Sequence, residues 1–166
     1  MVMLETERLL LRPLREEDLD DYARFAADPE TMQYVGGTLT RTEAWKQMAA
    51  ILGHWQLRGY GLWAVEHRES RIFIGRIGFI NPDGWPGFEL GWLLGREYWG
   101  NGFATEGART ALEYAFKELA QPHVISLIHP ANARSARVAE RLGEKIEGKT
   151  ELQGEEVLIY GIHRGP

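Results

Sequence analysis

The chain contains no cysteine, which excludes disulfides, thiolate metal sites and a cysteine nucleophile. It has no apolar run approaching the roughly 18 residues that a spanning helix needs, so no membrane partner is expected. Surplus positive charge is missing as well. The formal net charge is −5, whereas a general nucleic-acid binder presents a basic face. The opening Met1-Val2-Met3-Leu4-Glu5-Thr6-Glu7-Arg8 has neither a basic n-region nor an apolar h-region. No signal peptide is expected, and the cytoplasm is the default compartment. His54, His67, His123 and His163 lack metal-ligand spacing, so no metal is expected either. What is present is a 166-residue chain, 44% hydrophobic and 26% charged, with the composition of one soluble globular domain over residues 1–166. Its six tryptophans suggest a core and one aromatic-lined pocket.

The hydrophobic periodicity gives the element order β-α-α-β-β-β-α-β-α-β-β. Arg8 to Leu14 reads as a strand stopped near Pro13. Glu16 to Ala27 reads as a helix, with Leu19, Tyr22, Ala23 and Ala26 on one face and acidic residues at its start. Thr31 to Leu39 reads as a loop. Thr40 and Glu43 have capping-box spacing for a second helix. Tyr60–His67 and Ile72–Ile80 form a hairpin, and Asn81-Pro82-Asp83-Gly84 is turn chemistry. A central strand, Phe88 to Leu94, leads through Gly100 and Gly102 into a helix running to about Ala120. His123–His129 is the next strand, Asn132 an N-cap and Gly143 a C-terminal stop. Lys145–Leu152 and Val157–His163 close the chain as a hairpin. The strand-helix-strand unit from Phe88 implies a right-handed parallel pair, and the hairpins imply antiparallel neighbours. The fold class is therefore α/β (α+β), a mixed sheet with a parallel pair at its centre.

Gly100-Asn101-Gly102 at a helix start matters chemically. The first N–H groups of a helix have no intrahelical partner and carry partial positive charge, so a glycine turn feeding them can hold a phosphate. The same pattern also serves an ordinary strand-to-helix turn that needs glycine only for geometry. A P-loop would require Lys and a hydroxyl after the glycines, where Phe103 and Ala104 stand. A dinucleotide fingerprint would require Gly or Ala at Thr105 and an acid after the next strand, where His129-Pro130-Ala131-Asn132 stands. Neither fits.

Two motifs in order do fit a known pattern: Glu97-Tyr98-Trp99-Gly100-Asn101-Gly102, then Asn132-Ala133-Arg134-Ser135 with Gly143-Glu144. Together they resemble the phosphate loop and the Asn-x-x-Ser…Gly-Phe motif of the GNAT acyl-CoA N-acyltransferase family. Leu4 to Pro13, Tyr98 to Glu106 and Arg137 to Gly143 are similar to the ribosomal-protein N-acetyltransferase (RimJ/RimL-like) branch. The resemblance covers roughly residues 4 to 164. It implies a mixed, mostly antiparallel sheet of about seven strands with a splayed central parallel pair and about four helices. Three departures stand out. Glu97 replaces Gln or Arg, with Arg96 beside it to compensate. Glu144 replaces Phe. Ala139 stands where many members carry a general-acid Tyr.

The resemblance implies transfer of acetyl from acetyl-CoA to a small-molecule or peptide primary amine. In the family a bulge in the strand matching Phe88–Leu94 opens a gap for pantetheine, held by main chain at Trp92, Leu93 and Leu94. A backbone N–H about Leu93 would polarise the thioester carbonyl. The N–H groups of Gly100, Asn101, Gly102, Phe103 and Ala104, with Thr105 beside them, would hold the pyrophosphate. Arg137 or Arg141 would meet the 3′-phosphate, and Asn132 a CoA or strand-bridging contact. Glu89 is the expected base, His129 a second candidate, and Ser135 the expected acid at sulfur. Tyr34, Trp45, Trp85 and Tyr98 are candidates for the acceptor side. Two other readings stay open here: a CoA-binding module without catalysis, and a nucleotide or phosphosugar binder on the same turn. The oligomer expected is a monomer or homodimer.

Overall fold

A computed structural model describes all 166 residues. Its elements are β1 (Leu4–Glu5), β2 (Leu9–Arg12), α1 (Leu19–Ala26), α2 (Pro29–Met32), α3 (Arg41–Arg58), β3 (Leu62–His67), β4 (Ile72–Ile80) and β5 (Glu89–Leu94), then α4 (Phe103–Lys117), β6 (His123–Ile128), α5 (Ala133–Leu142), β7 (Lys145–Leu152) and β8 (Glu155–His163). One eight-stranded sheet runs β1-β2-β3-β4-β5-β6-β8-β7. Only β5 and β6 are parallel; every other neighbour pair is antiparallel.

Layers form on both sheet faces because β3 and β4 are apolar on both. On one face α1 lays Tyr22 and Phe25 against Phe73, ring centroids 5.9 and 5.8 Å away. On the other, α4 approaches so closely that a Cβ at Gly107 would stand 2.6 Å from Ile77 Cδ1. Ala108, Ala111 and Ala115, all fully buried, continue that narrow seam, as the small-residue spacing predicts. α3 begins in the expected capping box, Thr40 Oγ1 accepting from Glu43 N–H at 3.2 Å. Buried Arg12 ties β2 to the chain entering α1, pairing with Asp18 at 2.7 Å and Glu66 at 2.8 Å.

Several sequence expectations need correction. The sheet has eight strands rather than seven, because Leu4–Glu5 pairs with Leu10–Leu11 at the edge. Glu16–Asp18 is a 3₁₀ turn ahead of α1. Residues 29–32 of the expected loop form a helical turn, α2, which Pro29 starts and Asp28 caps by accepting from Thr31 N–H. α4 stops at Lys117, and Ala120 already takes φ +52°.

The parallel pair is splayed, as expected, but a β5 bulge is not the cause. Pairing of β5 with β4 is regular from Ile80↔Glu89 to Gly75↔Leu94. The bulges lie on β4 opposite Val65/Glu66 and on β7 at Ile146/Gly148. Strands β5 and β6 share one register pair, Glu89↔Ile125, and diverge beyond it.

Candidate active site

The divergence leaves backbone groups that the sheet ladder cannot satisfy. Ile125 N–H donates to Phe88 O at 2.9 Å; past that bond, side chains take over. Ser126 Oγ lies 2.8 Å from Leu90 O, and Leu127 N–H donates to Glu89 Oε1 at 3.4 Å. Ser126 Oγ is also 3.0 Å from Glu144 Oε1. One hydroxyl proton cannot serve two acceptors. With Ser126 donating to Leu90 O, Glu144 must carry its own proton and donate to Ser126 Oγ. Burial pushes the Glu144 carboxyl up to about 8, reinforced by Glu147 and Glu89. The carboxyl that departs from the family pattern therefore closes the base of the gap.

Strand polarity selects which N–H about Leu93 faces the gap. Gly95 N–H donates to Ile74 O on β4, whereas Phe88 O and Leu90 O face β6. Backbone direction alternates along a regular strand, so Leu93 N–H points to β4. The N–H facing the gap belongs to Trp92.

On one side of the gap a cavity of about 540 Å³ lies between β5, the start of α4 and α5. Gly100 and Gly102 adopt φ +79° and +78°, and Gly102 caps α4 with no side-chain hydrogen bond. Glu106 N–H bonds back to Gly102 O at 3.0 Å, so the N–H groups of Phe103, Ala104 and Thr105 have no helical partner. All three residues line the cavity, and Thr105 Oγ1 is buried without a partner. Arg137 and Arg141 line the same space, together with Arg134, whose guanidinium sits 3.4 Å from the Trp99 ring centroid. An uncapped helix start facing three arginines suits a polyphosphate.

Across the gap a second cavity, about 560 Å³, holds Glu89, Trp85, Arg76 and His129. Tyr34, Val35, Trp92, Leu93, Asn132 and Ser135 line both spaces. Glu89 is 7% exposed, and Trp85 Nε1 donates to its Oε2 at 2.7 Å. Burial raises its pKa to about 7 against the lowering effects of Trp85, Leu127 N–H and Arg76. A carboxylate in that range serves as a general base at neutral pH. Asn132 Oδ1 caps α5 by accepting from Ser135 N–H at 3.2 Å, while its Nδ2 donates to Ser135 Oγ at 3.1 Å. The Ser135 hydroxyl proton is left to point into the junction.

The fold thus gathers Glu89, Ser135, Asn132, Trp92, Leu93, Leu94, Gly100, Gly102, Phe103, Ala104, Thr105, Arg137, Arg141, Tyr34, Trp85 and Tyr98 around two joined cavities. Others fall outside. Trp45 is 47% exposed on α3 and lines neither space. Asn101 turns away to donate to Tyr98 O and Trp99 O; it shapes the turn. Arg96 cannot compensate for Glu97, since it pairs with Asp28 and Glu30 at 3.2 and 3.4 Å. His129 Nδ1 accepts from Ala131 N–H at 3.0 Å. That puts the proton of the neutral ring on Nε2 and leaves no lone pair for a base. Ser126, Arg76 and Arg134 escaped the sequence reading. A signal existed for two of them, a charge within apolar β4 and an arginine inside the Asn132–Ser135 motif.

Comparison with known proteins agrees with this fold. A model of the acetyltransferase (GNAT) domain matches residues 8–145. The Bacillus subtilis protein YkkB, itself uncharacterized, is 33% identical, over 95% of this chain and 93% of its own. A crystal structure of an acetyltransferase from Agrobacterium tumefaciens superposes with a TM-score of 0.89 at 35% identity, covering 98% of this chain and 95% of that one. RimL, a ribosomal L7/L12 α-N-protein acetyltransferase solved in complex with coenzyme A, has a TM-score of 0.81 over 98% of each chain; at 17% identity this likeness shows the fold alone.

Proposed function

The chain belongs to the GNAT family and is an acetyl-CoA-dependent acetyltransferase, and we propose that it passes the acetyl group directly to a primary amine held in the second cavity. The observation that carries this reading is the junction: a helix start fit for a pyrophosphate on one side, a buried base on the other, with Trp92 and Ser135 between them. In this reading the N–H groups of Phe103, Ala104 and Thr105 hold the pyrophosphate, and Arg137 and Arg141 meet the remaining phosphate. The buried, unpartnered Thr105 hydroxyl fits such a ligand. Pantetheine passes through the gap between β5 and β6.

Glu89 accepts a proton from the acceptor ammonium, directly or through one water. The free amine then attacks the thioester carbonyl carbon. A C–N bond forms and the C–S bond breaks, with the electron pair leaving on sulfur. Trp92 N–H donates to the carbonyl oxygen as negative charge builds there. Ser135 donates its hydroxyl proton to the departing sulfur and takes in its place the proton that the newly acylated nitrogen must lose. The products are the neutral amide and the thiol, and the serine is restored. Asn132 Nδ2, bonded to Ser135 Oγ, keeps the hydroxyl aimed.

Calorimetric titration with acetyl-CoA followed by a thiol-release assay on amines tests the scheme. Micromolar binding and acceptor-dependent release are expected, with Glu89→Gln and Ser135→Ala slowing release while retaining acetyl-CoA affinity. Release at wild-type rates by both variants would remove these two roles.

A further inference from the structure

Strand β4 reads Ile-Phe-Ile-Gly-Arg-Ile-Gly-Phe-Ile, and its one charge is Arg76. A guanidinium drawn out of water requires partners, because a buried cation left unpaired is costly. Arg12, on β2 of the same sheet, shows a satisfied case: both terminal nitrogens reach Asp18 and Nε reaches Glu66. Arg76, half-buried, has no such carboxylate pair; the side chain that meets it is the Tyr22 hydroxyl. Its Nε is buried with no hydrogen-bond partner, and no ion pair of the chain includes it. The Glu89 oxygens are occupied by Trp85 Nε1 and Leu127 N–H.

Arg76 is the only arginine or lysine lining the second cavity. The pairing Arg76↔Leu93, Gly78↔Gly91, Ile80↔Glu89 puts Arg76 and Glu89 on the same sheet face. Between them lies Gly91, where an added Cβ would meet only Ile80 Cδ1, at 3.5 Å, so the floor is open. Four residues of strand at about 3.4 Å each and one interstrand step of about 4.8 Å separate the two Cα atoms by roughly 14 Å. Both side chains are long enough to reach into that interval. A compact molecule spans what remains.

Building on the reading of this cavity as the acceptor site, we propose that the acceptor is a small amine that also bears a carboxylate, with the carboxylate on the Arg76 guanidinium and the amine at Glu89. The planar fork of arginine matches a carboxylate with two parallel hydrogen bonds, and the ligand supplies the anion that the fold withholds. The α-amine of a polypeptide carries no such charge near its reacting nitrogen.

The test is thiol release with the free amino acids against their amides, for wild type, Arg76→Gln and Arg76→Lys. Wild type is expected to favour the carboxylates at least tenfold in kcat/KM. In Arg76→Gln that ratio collapses toward one, chiefly through KM for the carboxylates, and Arg76→Lys recovers it in part. Thermal midpoint and acetyl-CoA titration establish that each variant is folded. Equal use of amides and acids by wild type, preference for peptide N-termini, or a ratio unchanged in Arg76→Gln would each overturn this inference alone. Release with no amine of any kind would overturn the acceptor reading of the cavity, and this inference with it.

Discussion

Trp85 Nε1 donates to Glu89 Oε2 at 2.7 Å, four residues before it in the chain and across the turn that enters β5. Trp85 therefore holds the carboxylate proposed as base as well as lining the cavity. Its hydrogen bond favours the charged carboxylate and lowers a pKa that burial raises to about 7. Trp85→Phe removes that bond, so the Glu89 pKa rises and a higher pH is needed to free the base. In a pH profile of kcat/KM, the wild-type rate climbs through about pH 7, and the Trp85→Phe limb lies at higher pH. Coincident limbs would separate Trp85 from the base.

Glu144 predicts a pH-dependent stability. Its folded pKa of about 8 exceeds the ordinary value of 4.5, so between those values the folded chain binds a proton that the unfolded chain has released. Stability must then fall as pH rises across that window and level off above it. Glu144→Gln keeps a donor for Ser126 and has no charge to bury. It should be more stable than wild type at pH 8 by on the order of a few kcal/mol, with the difference vanishing near pH 4. Denaturant titrations at pH 5 and pH 8 measure it.

Gly102→Ala tests the phosphate-binding turn. Gly102 holds φ +78°, and an added Cβ would meet only the Arg8 side chain, at 3.6 Å. The cost is thus conformational, about 1–2 kcal/mol of stability. Relaxing the strain displaces the free N–H groups of α4, so calorimetry should show acetyl-CoA binding weakened about tenfold or more. The pH limb set by Glu89 should not move.

Asn132 and Ser135 separate by their readouts. Ser135→Ala leaves the Asn132 cap on its own backbone N–H intact, so kcat should drop while thermal stability and acetyl-CoA affinity hold. Asn132→Ala loses the cap, at about 1 kcal/mol, and also frees the Ser135 hydroxyl to rotate. Thermal melts beside steady-state kinetics distinguish the two patterns.

Arg134 stacks on Trp99 with its guanidinium 3.4 Å from the ring centroid, at the rim of the first cavity. Arg134→Ala removes a cation from beside the phosphate side and uncovers the ring. KM for acetyl-CoA should rise severalfold with kcat nearly unchanged, an effect that added salt diminishes.

Much of the fold was legible because its signals are local. The alternation along residues 72–80, the capping box at Thr40 and the glycines at 100, 102 and 143 report backbone conformation within a few residues. Joining the glycine turn to Asn132–Ser135 required the family resemblance, since the two motifs meet only after a crossover. Trp45 illustrates the limit: an aromatic residue beside a cavity and one facing solvent have the same sequence signature.

The sequence by itself determined most of the strands and helices and the glycine turn before α4, and it singled out Glu89; it left out the edge strand Leu4–Glu5 and the helical turn Pro29–Met32. Tertiary structure alone decided that Trp92, not Leu93, turns its N–H into the gap, because backbone direction depends on which neighbouring strand pairs first. It also decided that Glu144 is buried against Ser126 and that Arg76 stands near Glu89 with its Nε unpartnered and no salt bridge. Burial and partnership are properties of residues distant in sequence, and no periodicity along the chain encodes them.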